Sequence, residues 1–350
     1  MVATALARLA AEGRLGLEDP VAAHVPELRR VEWAQRASVR DLMANRSQLP
    51  LRESLEFTDF EGDDEDVLSR FAAEVAKAEP TARPWSYTNA GWCVLGRAIE
   101  SVTGLTWEDA MHANVLLPLA MDQTTFATWP TSEPRATGHR VTTDGPEPVE
   151  RWTPRALGPA GSTPLSTLGD VLRLARAHLE NPMLEVLRTA HAEVRIQSWL
   201  DAWCLGLARF DWEGGPVWGW DGLISGDRAI LRLLPDQHGA VVLLTNGSSG
   251  RALYRSLRQE LVVRDVLNLG PDHAPRDLEL RLCGQRRQGE RRHAAVVLAG
   301  EEGVDRRQRH VLVRSHVSGD AALEGVPVSA PMRSIAGAAD ALPRAVARGR

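Results

Sequence analysis

All eleven tryptophans, both tyrosines and all five phenylalanines of this chain fall at or before Tyr254, and the last 96 residues carry none. Aromatic side chains supply a large share of the area buried in a core. Their distribution therefore divides the chain into a core-forming part, residues 1–268, and a tail, residues 269–350, expected to be weakly structured. From Arg276 onward the tail holds 14 arginines against nine acids, with Ala, Gly and Val between them. A basic tail can bind nucleic acid, but that reading needs aromatics interleaved with the basic residues, and none is present. No nucleic-acid partner is predicted. A frame-shifted read of a GC-rich gene gives the same composition, and Lys77 as the only lysine fits such codon usage.

Hydrophobic residues at 43% and charged residues at 25% of 350 are those of a globular protein and exclude collagen-like or wholly disordered classes. No apolar run approaches the roughly 18 residues of a membrane span, so no membrane partner is predicted. The helix-prone start, Met1 to Gly13, lacks the features of a signal peptide. Cys93, Cys204 and Cys283 are odd in number and widely spaced, which excludes a disulfide framework and a Cys-based zinc site. The expectation is a reduced, cytoplasmic protein with no metal and no organic cofactor.

Along the chain, helix signals come first. They cover residues 1–13, 38–43, 67–77, 90–103 (closed by Gly104) and 166–179, the last with Thr167 and Asp170 at its start. The acidic stretch 53–66 reads as a solvated loop leading into the third of these. After about residue 200, short apolar runs at 202–212, 217–220, 229–234 and 240–244 alternate with turn signals and predict an antiparallel meander. Residues 251–267 predict an amphipathic closing helix. Helices followed by strands and a helix make an α+β architecture, with a helical region at about 35–200 set against an antiparallel sheet.

The chain contains no HExxH, no phosphate loop, no dinucleotide fingerprint and no Gly-x-Ser-x-Gly. Its ten histidines are scattered, and His178 and His238 read as packing or surface residues. The informative run is Pro84 to Gly104, PWSYTNAGWCVLGRAIESVTG, with Leu116-Leu117-Pro118-Leu119-Ala120-Met121 after it. Together with Glu12 to Val21, with Gly158 to Gly161 and the following Ser166, Thr167 and Asp170, and with Leu243-Leu244-Thr245-Asn246, it resembles the penicillin-recognising serine hydrolases. These are the class C β-lactamases, D,D-peptidases and family VIII carboxylesterases. The resemblance covers about residues 1–268.

That resemblance implies a transpeptidase-like α+β fold and gives roles to particular residues. Tyr87 corresponds to the family's tyrosine acid/base and Asn89 to the side chain that orients the substrate carbonyl. Trp220-Asp221-Gly222 occupies the place of Lys-Thr-Gly on the strand lining the site, and the Leu223 N–H is the implied oxyanion donor. Trp for Lys removes a cation and adds an apolar wall, which turns the expected substrate from a carboxylate-bearing β-lactam or peptide toward a neutral ester. The bland alternatives are that Tyr87 is a core aromatic at a helix start and that Trp220 packs beneath a hairpin. Asn45 and Gln48 stand where the family usually shows His and Gly. No Ser-x-x-Lys occurs anywhere in the chain. By the family's spacing it falls just ahead of Met1, as do the first two strands. The expected function is a serine hydrolase acting on an ester, or on a β-lactam or peptide amide, nearly inactive without that segment. The rival is an inactive family member that binds a ligand or partner.

Overall fold

The computed structural model describes residues 1–47, 49, 66–78, 84–128, 135–150, 154–196, 200–212, 215–247, 250–251 and 253–254. It also describes the strand backbone of 278–283, 293–298, 309–318 and 320–325. In chain order the helices are α1 (Val2–Ala11), α2 (Val21–His24), α3 (Glu32–Arg36), α4 (Val39–Met43), α5 (Val67–Val75), α6 (Asn89–Thr103), α7 (Trp107–Met111) and α8 (Leu168–Glu180). The strands are β1 (Thr125–Phe126), β2 (His139–Thr142), β3 (Gly145–Pro148), β4 (Pro164–Leu165), β5 (Ala192–Ile196), β6 (Leu200–Trp203), β7 (Ala208–Trp212), β8 (Gly215–Ile224), β9 (Asp227–Leu234), β10 (Gly239–Thr245), β11 (Leu278–Cys283), β12 (His293–Leu298), β13 (Arg309–Ser318) and β14 (Asp320–Gly325).

The chain forms two compact units. The first comprises Met1–Ser132 and Trp152–Trp218, and the second Glu133–Arg151 and Gly219–Arg350. In the first, the helices begin and end where their capping residues stand. Ser38 and Asp41 form a reciprocal capping box on α4. Thr88 Oγ1 accepts the Ala90 N–H at 3.2 Å at the start of α6. Gly104, at φ 71°, ends that helix in the left-handed conformation that glycine adopts without penalty. Thr167 caps α8 through the Asp170 N–H. Helix α6 runs through the centre of the unit, with Cys93, Val94, Leu95, Ala98 and Ile99 fully buried. At Gly96 a Cβ would lie 2.2 Å from Pro159 Cγ, so only glycine lets the 155–160 turn sit against this helix. Strands β5, β6 and β7 form an antiparallel meander that completes the unit.

His178, on α8, is the packing residue the sequence suggests: it is buried and its Nε2 lies 2.9 Å from Thr4 Oγ1 of α1. Burial, with the positive charge of Arg188 adding to it, pulls its pKa down to about 3. A group lowered in this way binds its proton in the unfolded chain first. Its contribution to stability is therefore complete above the unfolded value of about 6.5 and is lost as pH falls toward about 3. His178→Gln keeps a partner for Thr4 and removes the titration. Urea midpoints at pH 7.5 and 4.5 are expected to differ less in that variant than in the parent, and equal differences would exclude this role for His178.

In the second unit, β9 and β10 pair antiparallel over their full length, from Gly239–Leu234 to Thr245–Arg228. The Ser225-Gly226 turn between β8 and β9 has positive φ at both residues, 47° and 79°, the geometry of a two-residue hairpin. Its tip is enclosed: a Cβ on Gly138 would stand 1.8 Å from the Ser225 carbonyl oxygen. Asn246, which ends the Leu-Leu-Thr-Asn run, ties that neighbouring segment down. Its carbonyl accepts the His139 N–H at 2.8 Å and its Nδ2 donates to the Thr137 carbonyl at 2.9 Å.

The tail holds strands β11 to β14, with β12 antiparallel to β10 and β11 parallel to β13. The Val-rich runs of β12 and β13 have strand propensity without aromatics. Most of the acidic stretch and all of the closing helix beyond Tyr254 lie outside the described residues. Among the described residues no helix is long and apolar enough to cross a membrane, and no cluster of His, Cys, Asp and Glu could hold a metal ion.

Candidate functional site

The residues singled out by sequence fall into two groups, one in each unit. In the first unit Trp85 to Thr88 is an extended segment with alternating burial: Ser86 and Thr88 point inward, while Trp85, Tyr87 and Asn89 are partly exposed. The segment ends where α6 begins, so Tyr87 and Asn89 stand together at the helix start. The Tyr87 ring meets Trp203 edge-on, with centroids 5.6 Å apart and planes at 73°. Trp85 leans on the same indole at 6.1 Å. Trp203 itself is 1% exposed and its Nε1–H donates to the Met43 carbonyl at 3.0 Å. Tyr87 is therefore neither a fully buried core aromatic nor a loosely attached surface ring.

One residue, Asn45, bonds the 86–88 segment at both its ends. Asn45 follows α4 with φ 55°, a left-handed conformation that Asn tolerates better than most residues. Its carbonyl accepts the Ser86 N–H at 2.9 Å and its Oδ1 accepts the Thr88 N–H at 3.3 Å. These two bonds bracket Tyr87. In the sequence Asn45 stands out only as a departure from the family's usual His, and an Asn just past a short helix is the available signal.

In the second unit Trp220, Asp221, Gly222 and Leu223 lie in succession on β8. Strand alternation puts Trp220 and Gly222 on one face and Gly219 and Asp221 on the other. The Asp221 face is occupied: its Oδ1 lies 2.7 Å from an Arg232 guanidinium nitrogen, with the two side chains 13% and 4% exposed. This is a close charge contact without the alignment of a hydrogen bond to that oxygen. The Tyr254 ring covers the guanidinium at 5.0 Å. The Gly222 face is open, and a Cβ there would meet nothing within 4 Å. The glycine of this run that the protein itself crowds is Gly219, whose Cβ would stand 1.8 Å from the Leu231 carbonyl oxygen. Leu223, beside the turn, is 56% exposed.

Neither remaining described cysteine is a nucleophile candidate. Burial raises the Cys93 thiol well above its ordinary range and pushes Cys204 up to about 12.

A family model described as Beta-lactamase matches residues 1–264. Penicillin-binding protein 4 of Amycolatopsis lactamdurans is 31% identical over 309 residues, covering 79% of each chain. Among solved structures, that of SurE is 28% identical with a TM-score of 0.62 over 79% of this chain. The match spans 66% of the SurE chain, just under two thirds of its length. A D-stereospecific amidohydrolase from Streptomyces sp. is 25% identical with a TM-score of 0.55, covering 67% of this chain and 76% of its own.

Proposed function

Since the chain belongs to the beta-lactamase family, we propose that it is the larger part of a serine hydrolase that cleaves a neutral ester through an acyl-enzyme. The nucleophile in this reading is the serine of the Ser-x-x-Lys that related hydrolases carry, a motif that the 350 residues do not contain. In this reading the serine Oγ bonds to the ester carbonyl carbon as the lysine amine takes its proton. The C–O bond to the alcohol then breaks, and Tyr87 delivers a proton to the departing alkoxide. Asn89 orients the acyl carbonyl, and the Leu223 N–H faces the oxyanion. Water then releases the acid.

The observation that carries this reading is the division of labour on β8. Asp221 is turned away and paired with Arg232, while Trp220 and Gly222 share the opposite face of the strand. Trp220 puts an apolar side chain there in the place of the related hydrolases' Lys, and the space beside Gly222 gives access to the backbone. A neutral, hydrophobic acyl group suits it better than a penicillin. The relationship to a D-stereospecific amidohydrolase supports a peptide-like amide as the next substrate class, with a β-lactam after it.

Loss of a serine nucleophile costs on the order of 10⁶-fold in kcat in well-studied serine hydrolases. The 350-residue chain alone is therefore expected to be nearly inactive, its residual acceleration about 10³-fold over water from binding and the oxyanion donor. The absence of Ser-x-x-Lys also favours a second reading, a ligand-binding module without turnover.

Intact mass of the protein from its native host separates the two. A species heavier than 38.3 kDa whose first peptide reads into Ser-x-x-Lys, and which gains an acyl mass on that serine from an aryl ester, supports the hydrolase. A species of 38.3 kDa beginning at Met1 overturns it and leaves the binding module.

A further inference from the structure

The structure assigns Asn45 a task beyond the reaction as read above, although it rests on the role given there to Tyr87. We propose that Asn45 is the positioning residue that fixes the Tyr87 phenol, acting through the backbone on both sides of it. Three observations converge. Asn45 is 1% exposed and holds a left-handed φ of 55°, so its orientation is set by its surroundings. Its two oxygens accept the N–H groups of Ser86 and Thr88, the residues immediately before and after Tyr87. The end of α4 just before Asn45 is anchored at Met43 to Trp203, the indole that the Tyr87 ring meets edge-on.

The backbone of Tyr87 and the platform beneath its ring are thus referred to one short stretch, residues 43–45. Such a clamp fixes where the phenol oxygen stands without touching it. The Asn45 Nδ2 is enclosed and has no hydrogen-bond partner. The side chain is therefore held by its oxygen alone, and the oxygen is the atom to test.

Asn45→Gly removes Oδ1 while keeping the backbone carbonyl and the positive φ. Asn45→Asp keeps an acceptor in place and exchanges the idle amide nitrogen for a second carboxyl oxygen, whose burial favours the neutral acid. The chain has two tyrosines, so 3-fluorotyrosine labelling gives two ¹⁹F resonances, assigned by Tyr254→Phe. The Tyr87 resonance is expected to move toward the position of free fluorotyrosine in Asn45→Gly, to remain in place in Asn45→Asp, and to leave Tyr254 unaffected. An unmoved Tyr87 resonance in folded Asn45→Gly overturns the proposal. Should Asn45→Gly fail to fold, judged by loss of the parent's far-UV circular dichroism and of its cooperative urea transition, Asn45→Asp carries the test, and a displaced Tyr87 signal in it, with the parent's dichroism retained, also overturns the proposal.

In the protein carrying Ser-x-x-Lys, Asn45→Gly is expected to lower kcat about 10- to 100-fold with KM within about twofold of the parent. Added to Tyr87→Phe it should lower kcat no further, since the group it positions is already gone. If Tyr87→Phe alone leaves turnover intact, the catalytic reading of Tyr87 fails, while the fluorine shift still decides whether Asn45 holds the ring.

Discussion

Tyr87→Phe, in the protein carrying the Ser-x-x-Lys segment, is expected to lower kcat/KM for an aryl ester by about 10²- to 10⁴-fold, the range spanned by loss of a positioned proton donor or acceptor. The fold should not register the change. Phe retains the ring that meets Trp203 edge-on, and only the hydroxyl of a partly exposed side chain is lost. Trp203→Ala is the contrasting case: it empties a fully buried site, frees the Met43 carbonyl and should destabilise by about 3–5 kcal/mol. Activity lost with an unchanged thermal midpoint thus marks chemistry, whereas activity lost with a fallen midpoint marks packing. The ligand-binding module predicts a third pattern, with affinity for an ester or amide analogue unaffected by Phe at position 87. Turnover equal to the parent in Tyr87→Phe would remove this tyrosine from the mechanism.

What the sequence made legible here was local. Gly104, and Thr167 with Asp170, mark helix ends because a cap is satisfied within three or four residues, and both stand where expected; Ser38 with Asp41 and Thr88 cap over the same short spans without having been singled out. The apolar runs after residue 200 became β6 to β10 for the same reason: alternation and turn residues act over short spans. The motif residues were also readable as neighbours along the chain, Tyr87 beside Asn89 and Trp220 to Leu223 in one strand.

What was not legible depends on contacts made across long separations. Nothing near Asn45 reveals that its oxygens will meet N–H groups 41 and 43 positions later, at Ser86 and Thr88. Nothing in Trp-Asp-Gly says that Asp221 turns inward. That follows from Arg232, set among Ile230, Leu231, Leu233 and Leu234 on its strand, which must find an anion once buried. The need for Gly219 was likewise not legible, since the Leu231 carbonyl oxygen that a Cβ there would meet lies on the next strand.

The same buried charge makes the second large expectation. Arg232→Met should destabilise the protein by about 3–5 kcal/mol, because it leaves Asp221 enclosed without a counter-charge. Asp221→Asn should destabilise from the other side, since it takes a counter-charge from a guanidinium that is 4% exposed. The double variant, Asp221→Asn with Arg232→Met, should recover much of the loss: no unpaired charge remains, and the Met side chain can lie along the Tyr254 ring that covered the guanidinium at 5.0 Å. Urea midpoints of the four proteins make the cycle, and a double variant as unstable as the sum of the singles would mean that the pair does not couple. The functional consequence differs between the readings of Asp221. If it contacts substrate, the stable double variant loses affinity along with the carboxylate. If it anchors β8 from the protected face, as its pairing with Arg232 supports, the double variant keeps ligand affinity once folded, because Trp220 and Gly222 on the opposite face are unchanged.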